Sequence, residues 1–158
     1  MGRWTGSWLS GPNAAGLGAA RVLGRHRGER LGLPETGRGS VVGFWPRLAA
    51  FLVDSVIANL LVGLVYFAGV RPGPGLRGEL VLIGFLLQEL VLVAAVGATF
   101  GMAMLGLRVV AVADGGRPTL LAAALRTALL ALLVPALVWD YDGRGMHDRA
   151  SGTAVVRA

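Results

Sequence analysis

The chain has 158 residues, of which 54% are apolar and 15% charged, with a mean hydropathy of +0.65. An average soluble domain carries about a quarter charged residues, so this composition argues against both a disordered polypeptide and an ordinary water-soluble enzyme. The length allows one domain. With no cysteine, disulfide scaffolds, thiolate metal sites and cysteine nucleophiles are excluded. The net charge of +6 comes from 15 arginines, seven of them ahead of residue 48 and the others scattered. That is the charge excess of a cytoplasmic membrane flank, not the basic face with interleaved aromatics of a nucleic-acid module, so no nucleic-acid partner is expected.

Residues 1–43 are rich in Gly, Arg, Ser and Pro and include the polar run Arg25-His26-Arg27-Gly28-Glu29-Arg30. They read as a flexible cytoplasmic arm and lack the apolar core of a secretory signal. Residues 44–158 read as one membrane domain. Its first apolar helix is expected at about 48–70, with twelve Leu, Ile, Val or Phe in residues 48–67. These supply about 4–7 kcal/mol of insertion free energy against about 3 kcal/mol for Asp54. Phe44, Trp45, Pro46 and Arg47 precede it as interfacial anchors.

Residues 71–78, Arg-Pro-Gly-Pro-Gly-Leu-Arg-Gly, form a turn by composition. A second apolar helix is expected at about 79–97, interrupted by Gln88 and Glu89, and the short connection makes the pair an antiparallel hairpin. Leu107-Arg108-Val109-Val110-Ala111-Val112 reads as a strand and Asp114-Gly115-Gly116 as a tight turn. Pro118 and a Thr119 N-cap then open a third apolar helix at about 119–139, which contains Arg126 and Pro135. Insertion of that helix is near balance, and the tail ends in the strand-like Thr153-Ala154-Val155-Val156. The fold class is therefore an all-α membrane protein: two antiparallel transmembrane helices, a third membrane-embedded helix, and a short cytoplasmic β-hairpin-like segment.

Positive-inside logic favours a cytoplasmic C-terminus. If the third helix returns, eight arginines flank the membrane inside and two outside; if it crosses, the count is five each. The tail could pair with residues 107–112 only on the same side. By helical rise, Asp54 lies about 9 Å, Arg126 about 10 Å and Glu89 about 12 Å below one surface. Opposite charges on three helices at one level are tolerable when paired. Arg47, seven residues before Asp54, shares its helix face. Arg47, Asp54, Glu89 and Arg126 are thus the candidate charged intramembrane cluster. The small and polar series Ser55-Asn59-Gly63, Gly84-Gln88 and Ala123-Thr127-Ala131 are the expected contact stripes.

These residues resemble the RDD family of bacterial membrane proteins, named for one Arg and two Asp. The first signature is Phe44-Trp45-Pro46-Arg47-Leu48-Ala49-Ala50-Phe51-Leu52-Val53-Asp54. The middle one is Gly101 with Leu105-Gly106-Leu107-Arg108-Val109-Val110, Asp114-Gly115 and Pro118-Thr119, and the closing one is Gly145-Met146-His147-Asp148-Arg149-Ala150-Ser151-Gly152 with Thr153-Ala154-Val155-Val156. Arg47, Asp54 and Asp148 match the family's Arg and two Asp. Where members often have Gly-Lys, this chain has Gly101-Met102.

The resemblance implies a multi-pass protein of the bacterial plasma membrane, N-terminus cytoplasmic, with a transport-associated role; cation/proton exchange is proposed for some members, and the charged cluster is read as a site for an ion, a proton or a transported small ligand in an oligomer. Asp148 would stand near the cytoplasmic mouth. The alternative is a non-catalytic assembly or scaffolding protein whose embedded charges are structural. Neither reading is an enzyme and neither calls for a cofactor. Asp140-Tyr-Asp142-Gly143 misses the calcium-loop pattern, and His147-Asp148 lacks a partner at ligand spacing, so no metal is expected. The expected partners are the lipid bilayer and a second copy or other membrane proteins, since three helices enclose little space.

Overall fold

The structure is a computed structural model and describes residues 26–70, 73, 75–132 and 142–158. Two long helices dominate it: α1, Phe44–Phe67, and α2, Leu76–Val96. Pro46 is tolerated in the first turn of α1, where its missing N–H would have no helical partner. Gly97 ends α2 in a left-handed conformation (φ 80°), its N–H donating to Leu92 and Val93 carbonyls. Both helices start three or four residues earlier than expected, because the interfacial residues Phe44–Arg47 and the Leu76–Gly78 turn join the helical ladder. Each is long and apolar enough to cross a membrane, yet only 22% of its most apolar window is buried inside the protein. A soluble core helix would be mostly buried. Here Leu52, Leu60, Leu64, Leu82 and Leu87 point outward.

A short helix α3, Phe100–Met104, and strand β1, Leu107–Ala111, follow α2. Helix α4, Leu120–Ala131, starts at the expected N-cap: Thr119 Oγ1 accepts from Ala122 N at 3.2 Å. The expectation that this helix runs on through Pro135 to residue 139 falls on residues outside those described. A five-residue helix α5, Met146–Ala150, precedes strand β2, Thr153–Arg157.

β1 and β2 form an antiparallel pair with Val109 opposite Val155. The β segment is therefore not a local hairpin. Asp114-Gly115-Gly116 does reverse the chain, with Ala111 N donating to Gly116 O and Gly116 N to Asp114 Oδ1, but it leads into α4. The strand's partner is the C-terminal tail.

Residues 26–43, read as arm from composition, pack on that sheet. Val41 bridges Val156, Val42 N donates to Val155 O, and Arg157 N donates to Ser40 O. Ser40 and Val42 are buried. Residues 1–25, the rest of the expected arm, lie outside the described residues.

The elements close a circuit: α1 packs on α2 and α3, α2 on α4, α4 on α5, α5 on β2, and β1 on α3. Val42, Ala50, Val93, Met102, Val109, Ala123 and Val155 form the core where the sheet meets the helices. The start of α1, the end of α2, the start of α4 and both strands thus share one end of the molecule. The α1–α2 turn lies at the other.

Candidate functional site

Five charged side chains converge between the helices and the sheet. Asp148, on α5, is fully buried. Arg126 Nε donates to its Oδ1 at 2.9 Å, and Arg47 Nη1 donates to its Oδ2. Arg126 Nη1 donates to Glu89 Oε1, so Arg47–Asp148–Arg126–Glu89 is one continuous chain of ion pairs. Arg47 also donates to the carbonyls of Val42 and Gly143, which ties the segment before α1 and the loop before α5 to the cluster.

Burial alone would push the Asp148 carboxyl up. Arg126 and Arg47, with His147 beside them, outweigh it and hold the group down to about 2. His147 is itself buried, its Nε2 3.4 Å from the Oδ1 that Arg126 engages.

Asp54 is equally buried but belongs to a second, adjoining network. It accepts from Gly101 N at 2.8 Å, Thr99 Oγ1 at 2.5 Å and Gln88 Nε2 at 3.1 Å. Thr99 is the N-cap of α3 and also accepts from Met102 N. Two carboxylate oxygens thus bind the start of α3 to α1 and α2. A Cβ built at Gly101 would stand 2.2 Å from the Ala50 carbonyl oxygen and 2.9 Å from Asp54 Oδ2, so the approach requires glycine. Arg47 and Asp54 share a helix face as expected, but Arg47 turns to Asp148 and Asp54 to α3.

A cavity of about 380 Å³ lies between α1, α2 and α4. Arg47, Asp54, Glu89, Arg126 and His147 line one part of it, and apolar groups such as Phe51, Leu82 and Phe85 line the rest. Beside it, Gln88 Oε1 is buried without a hydrogen-bond partner among the described residues, as is Thr127 Oγ1. Among the described residues no group of His, Asp and Glu is placed to hold a metal ion.

Of the expected cluster, Arg126 meets Glu89 directly and Arg47 is joined to them through Asp148, while Asp54 adjoins them in its separate network. Thr99 and Gly101 were missed as Asp54 partners, although a Thr three residues before Met102 is an N-cap signal. Also missed was Asp142, buried and paired with Arg30 through Nε and Nη2 at 3.1 and 2.7 Å. The α1 contact stripe is Ala50-Asp54-Ala58-Val62, one residue out of step with the expected Ser55-Asn59-Gly63. On α4, Ala123 and Thr127 are buried as expected, whereas Ala131 is exposed.

No curated protein and no solved structure matches the chain. The model of the RDD family matches residues 41–152, a stretch that opens at the Val41 bridge and contains Arg47, Asp54, Glu89, Arg126 and Asp148. With this match and two helices long and apolar enough to span a bilayer, the chain is a membrane protein that belongs to the RDD family.

Proposed function

We propose that this protein is a transport-associated component of the bacterial plasma membrane that moves a small cation, a proton or both, through an assembly of more than one copy. The observation that carries this reading is the cavity between α1, α2 and α4, into which Asp54 and Glu89 bring carboxylates from two different helices. Ionisable groups inside a membrane domain mark pathways by default. The Gln88 carbonyl beside Asp54, without a partner among the described residues, is a further oxygen for a passing cation or a proton-carrying water. No enzymatic step and no cofactor are part of the reading.

The sheet end is assigned to the cytoplasm by the eight arginines, from Arg30 to Arg157, that flank the membrane there against Arg71 and Arg77 at the other end. β1, before helix α4, and β2, after it, pair with each other, so both ends of the segment that holds α4 lie at the sheet end. Helix α4 is assigned as a re-entrant or interfacial element that starts from the cytoplasmic face.

A second reading is favoured by the closed Arg47–Asp148–Arg126–Glu89 chain, in which each arginine already has its counter-ion. There the charges lock the helices together and the protein is a scaffold. Ion flux into vesicles containing purified protein separates the two. The transport reading expects flux that Asp54→Asn and Glu89→Gln abolish while the protein still accumulates. Undiminished flux in Asp54→Asn, or no flux at all in wild type, leaves the scaffold reading.

A further inference from the structure

We propose that the outward face of α1, centred on Asn59, is the interface between two copies of this chain. This inference does not rest on the transport reading, and its test reads association alone.

The α1 residues that meet the rest of the protein are Ala50, Asp54, Ala58 and Val62. Asn59 follows Ala58 by about 100° around the helix and is exposed. It lies eight residues before Phe67, about 12 Å from the end of the helix at 1.5 Å per residue, well inside a hydrocarbon layer of about 30 Å. Its Nδ2 donates to Ser55 O at 3.0 Å. The other N–H and both lone pairs of Oδ1 have no partner among the described residues. A lipid tail offers none, and a polar group held in hydrocarbon without hydrogen bonds is costly.

Gly63, one turn further, points to the same occupant. Glycine in a helix interior is unfavourable, and on a membrane helix one turn from an exposed Asn it fits the close approach of a second helix. Among the described residues no such approach exists: a Cβ built at Gly63 meets nothing within 4 Å. Val56, Asn59, Leu60, Gly63 and Leu64, with Arg77 of α2 at one edge, instead line a shallow external groove. The room left by Gly63 is used only if a helix from outside lies across it.

Complementarity identifies that helix. The missing partner must offer a donor and an acceptor at the depth of Asn59, and a primary amide supplies both. A second copy carries an amide at that depth, so a two-fold arrangement sets Asn59 against Asn59 and Gly63 near the crossing point. Electrostatics do not oppose the pairing: from Leu48 to Phe67 the only charged residue is Asp54, which faces inward, and Arg77 at the groove's edge lies over the Tyr66 ring of its own chain, 5.9 Å from the centroid. The two interfaces of α1 are then distinct, one a seam inside the protomer and the other, a residue further round, between protomers.

The natural sequence has no cysteine, so single cysteines report proximity without background. Val56→Cys and Leu60→Cys, oxidised in native membranes, should give a disulfide-linked species of twice the chain mass. Leu87→Cys and Val91→Cys, exposed on α2, should not. In vesicles, energy transfer between labelled copies should show Asn59→Leu dimerising about three- to twenty-fold more weakly, the worth of one interhelical hydrogen bond in a membrane. Its thermal unfolding as a monomer should be nearly unchanged, because among the described residues the Asn59 amide bonds only to Ser55 of its own helix. Cross-linking that is equal or stronger from α2 overturns the proposal. So does a cross-linked species of another mass, which would put a different protein on this face, or full-strength association of Asn59→Leu.

Discussion

Asp148 and Arg126 meet through Oδ1 and Nε at 2.9 Å, both buried, and their contact is the point where the sheet end is fastened to the membrane helices. Arg126 reaches on to Glu89 of α2, and Asp148 reaches back to Arg47 at the start of α1. Asp148→Asn would keep the shape and remove the charge that two guanidiniums share. Breaking a buried pair from one side costs about 3–5 kcal/mol, a large part of the stability of a small domain. Asp148→Asn is expected to accumulate poorly and to melt well below wild type in detergent. Asp114→Asn, in the exposed turn, should leave both measures unchanged.

The same carboxyl sets an acid limit. Its folded value of about 2 lies below its ordinary 3.8, so the unfolded chain takes up a proton more readily than the folded one. The stability this provides, about 2 kcal/mol by linkage, is complete above about pH 5 and is lost progressively as the pH falls through 2. Unfolding free energy measured between pH 5 and pH 2 should therefore fall in wild type. In Asp148→Asn the component due to this group should be absent and the curve correspondingly flatter.

Which parts of this arrangement the sequence discloses follows from the range of the interactions. The two spans, the Thr119 cap and the convergence of Glu89 with Arg126 are governed by hydropathy, local capping and depth along a helix, all readable from one dimension. The α1 seam lies one residue away from where residue type alone places it. Ser55 and Asn59 look like contact residues by type, yet their polar groups bond back to Phe51 and Ser55 carbonyls of their own helix, and the seam is taken by Ala50, Asp54, Ala58 and Val62. Composition also misled at Val41 and Val42, a β-branched pair at the end of a Gly- and Arg-rich stretch that pairs with Val155 and Val156. The Arg30–Asp142 pair joins residues 112 positions apart and has no local signature.

Gly101 is where α1 and α3 come closest. An added methyl carbon would stand 2.2 Å from the Ala50 carbonyl oxygen, and that atom is backbone in the middle of a helix, so it cannot swing aside. Gly101→Ala must push α3 away and lengthen the Gly101 N to Asp54 Oδ1 bond, now 2.8 Å. Overpacking of this kind typically costs about 1–3 kcal/mol, and weakening a charge-assisted hydrogen bond adds to it. The unfolding midpoint of Gly101→Ala should drop clearly. Gly84→Ala, where the new carbon meets nothing within 4 Å, should match or exceed wild type.

The Arg30–Asp142 pair holds the segment before α1 against the loop before α5. Asp142 is buried while the Arg30 side chain is 45% exposed, so the two partners are not equivalent. Losing Arg30 leaves a buried carboxylate short of a counter-ion; replacing Asp142 as well removes that burden. Arg30→Ala should therefore be more destabilising than Arg30→Ala with Asp142→Asn, a non-additivity that a double-mutant cycle on unfolding free energy detects. Amide exchange at Val42 and Arg157, whose N–H groups bond across the same segment and β2, should speed up in Arg30→Ala.

The connectivity of the sheet makes a topological prediction. Residues 39–42 lie beside β2, and β2 pairs with β1, so the start of α1 and the chain's last strand occupy one side of the bilayer. The α1–α2 turn is expected on the other, because each helix is long enough to cross. Single cysteines at Asp114 and Ala158, both exposed, should react with an impermeant maleimide from the same side. Gly73→Cys should react only from the opposite one. Labelling of Asp114→Cys and Ala158→Cys from different faces would mean that the segment from α4 to α5 crosses the membrane, which would break the β1–β2 pair. Inverted vesicles, in which the accessible set is reversed, supply the internal check: each variant must change its reactivity with orientation, and Gly73→Cys must change in the opposite sense to the other two.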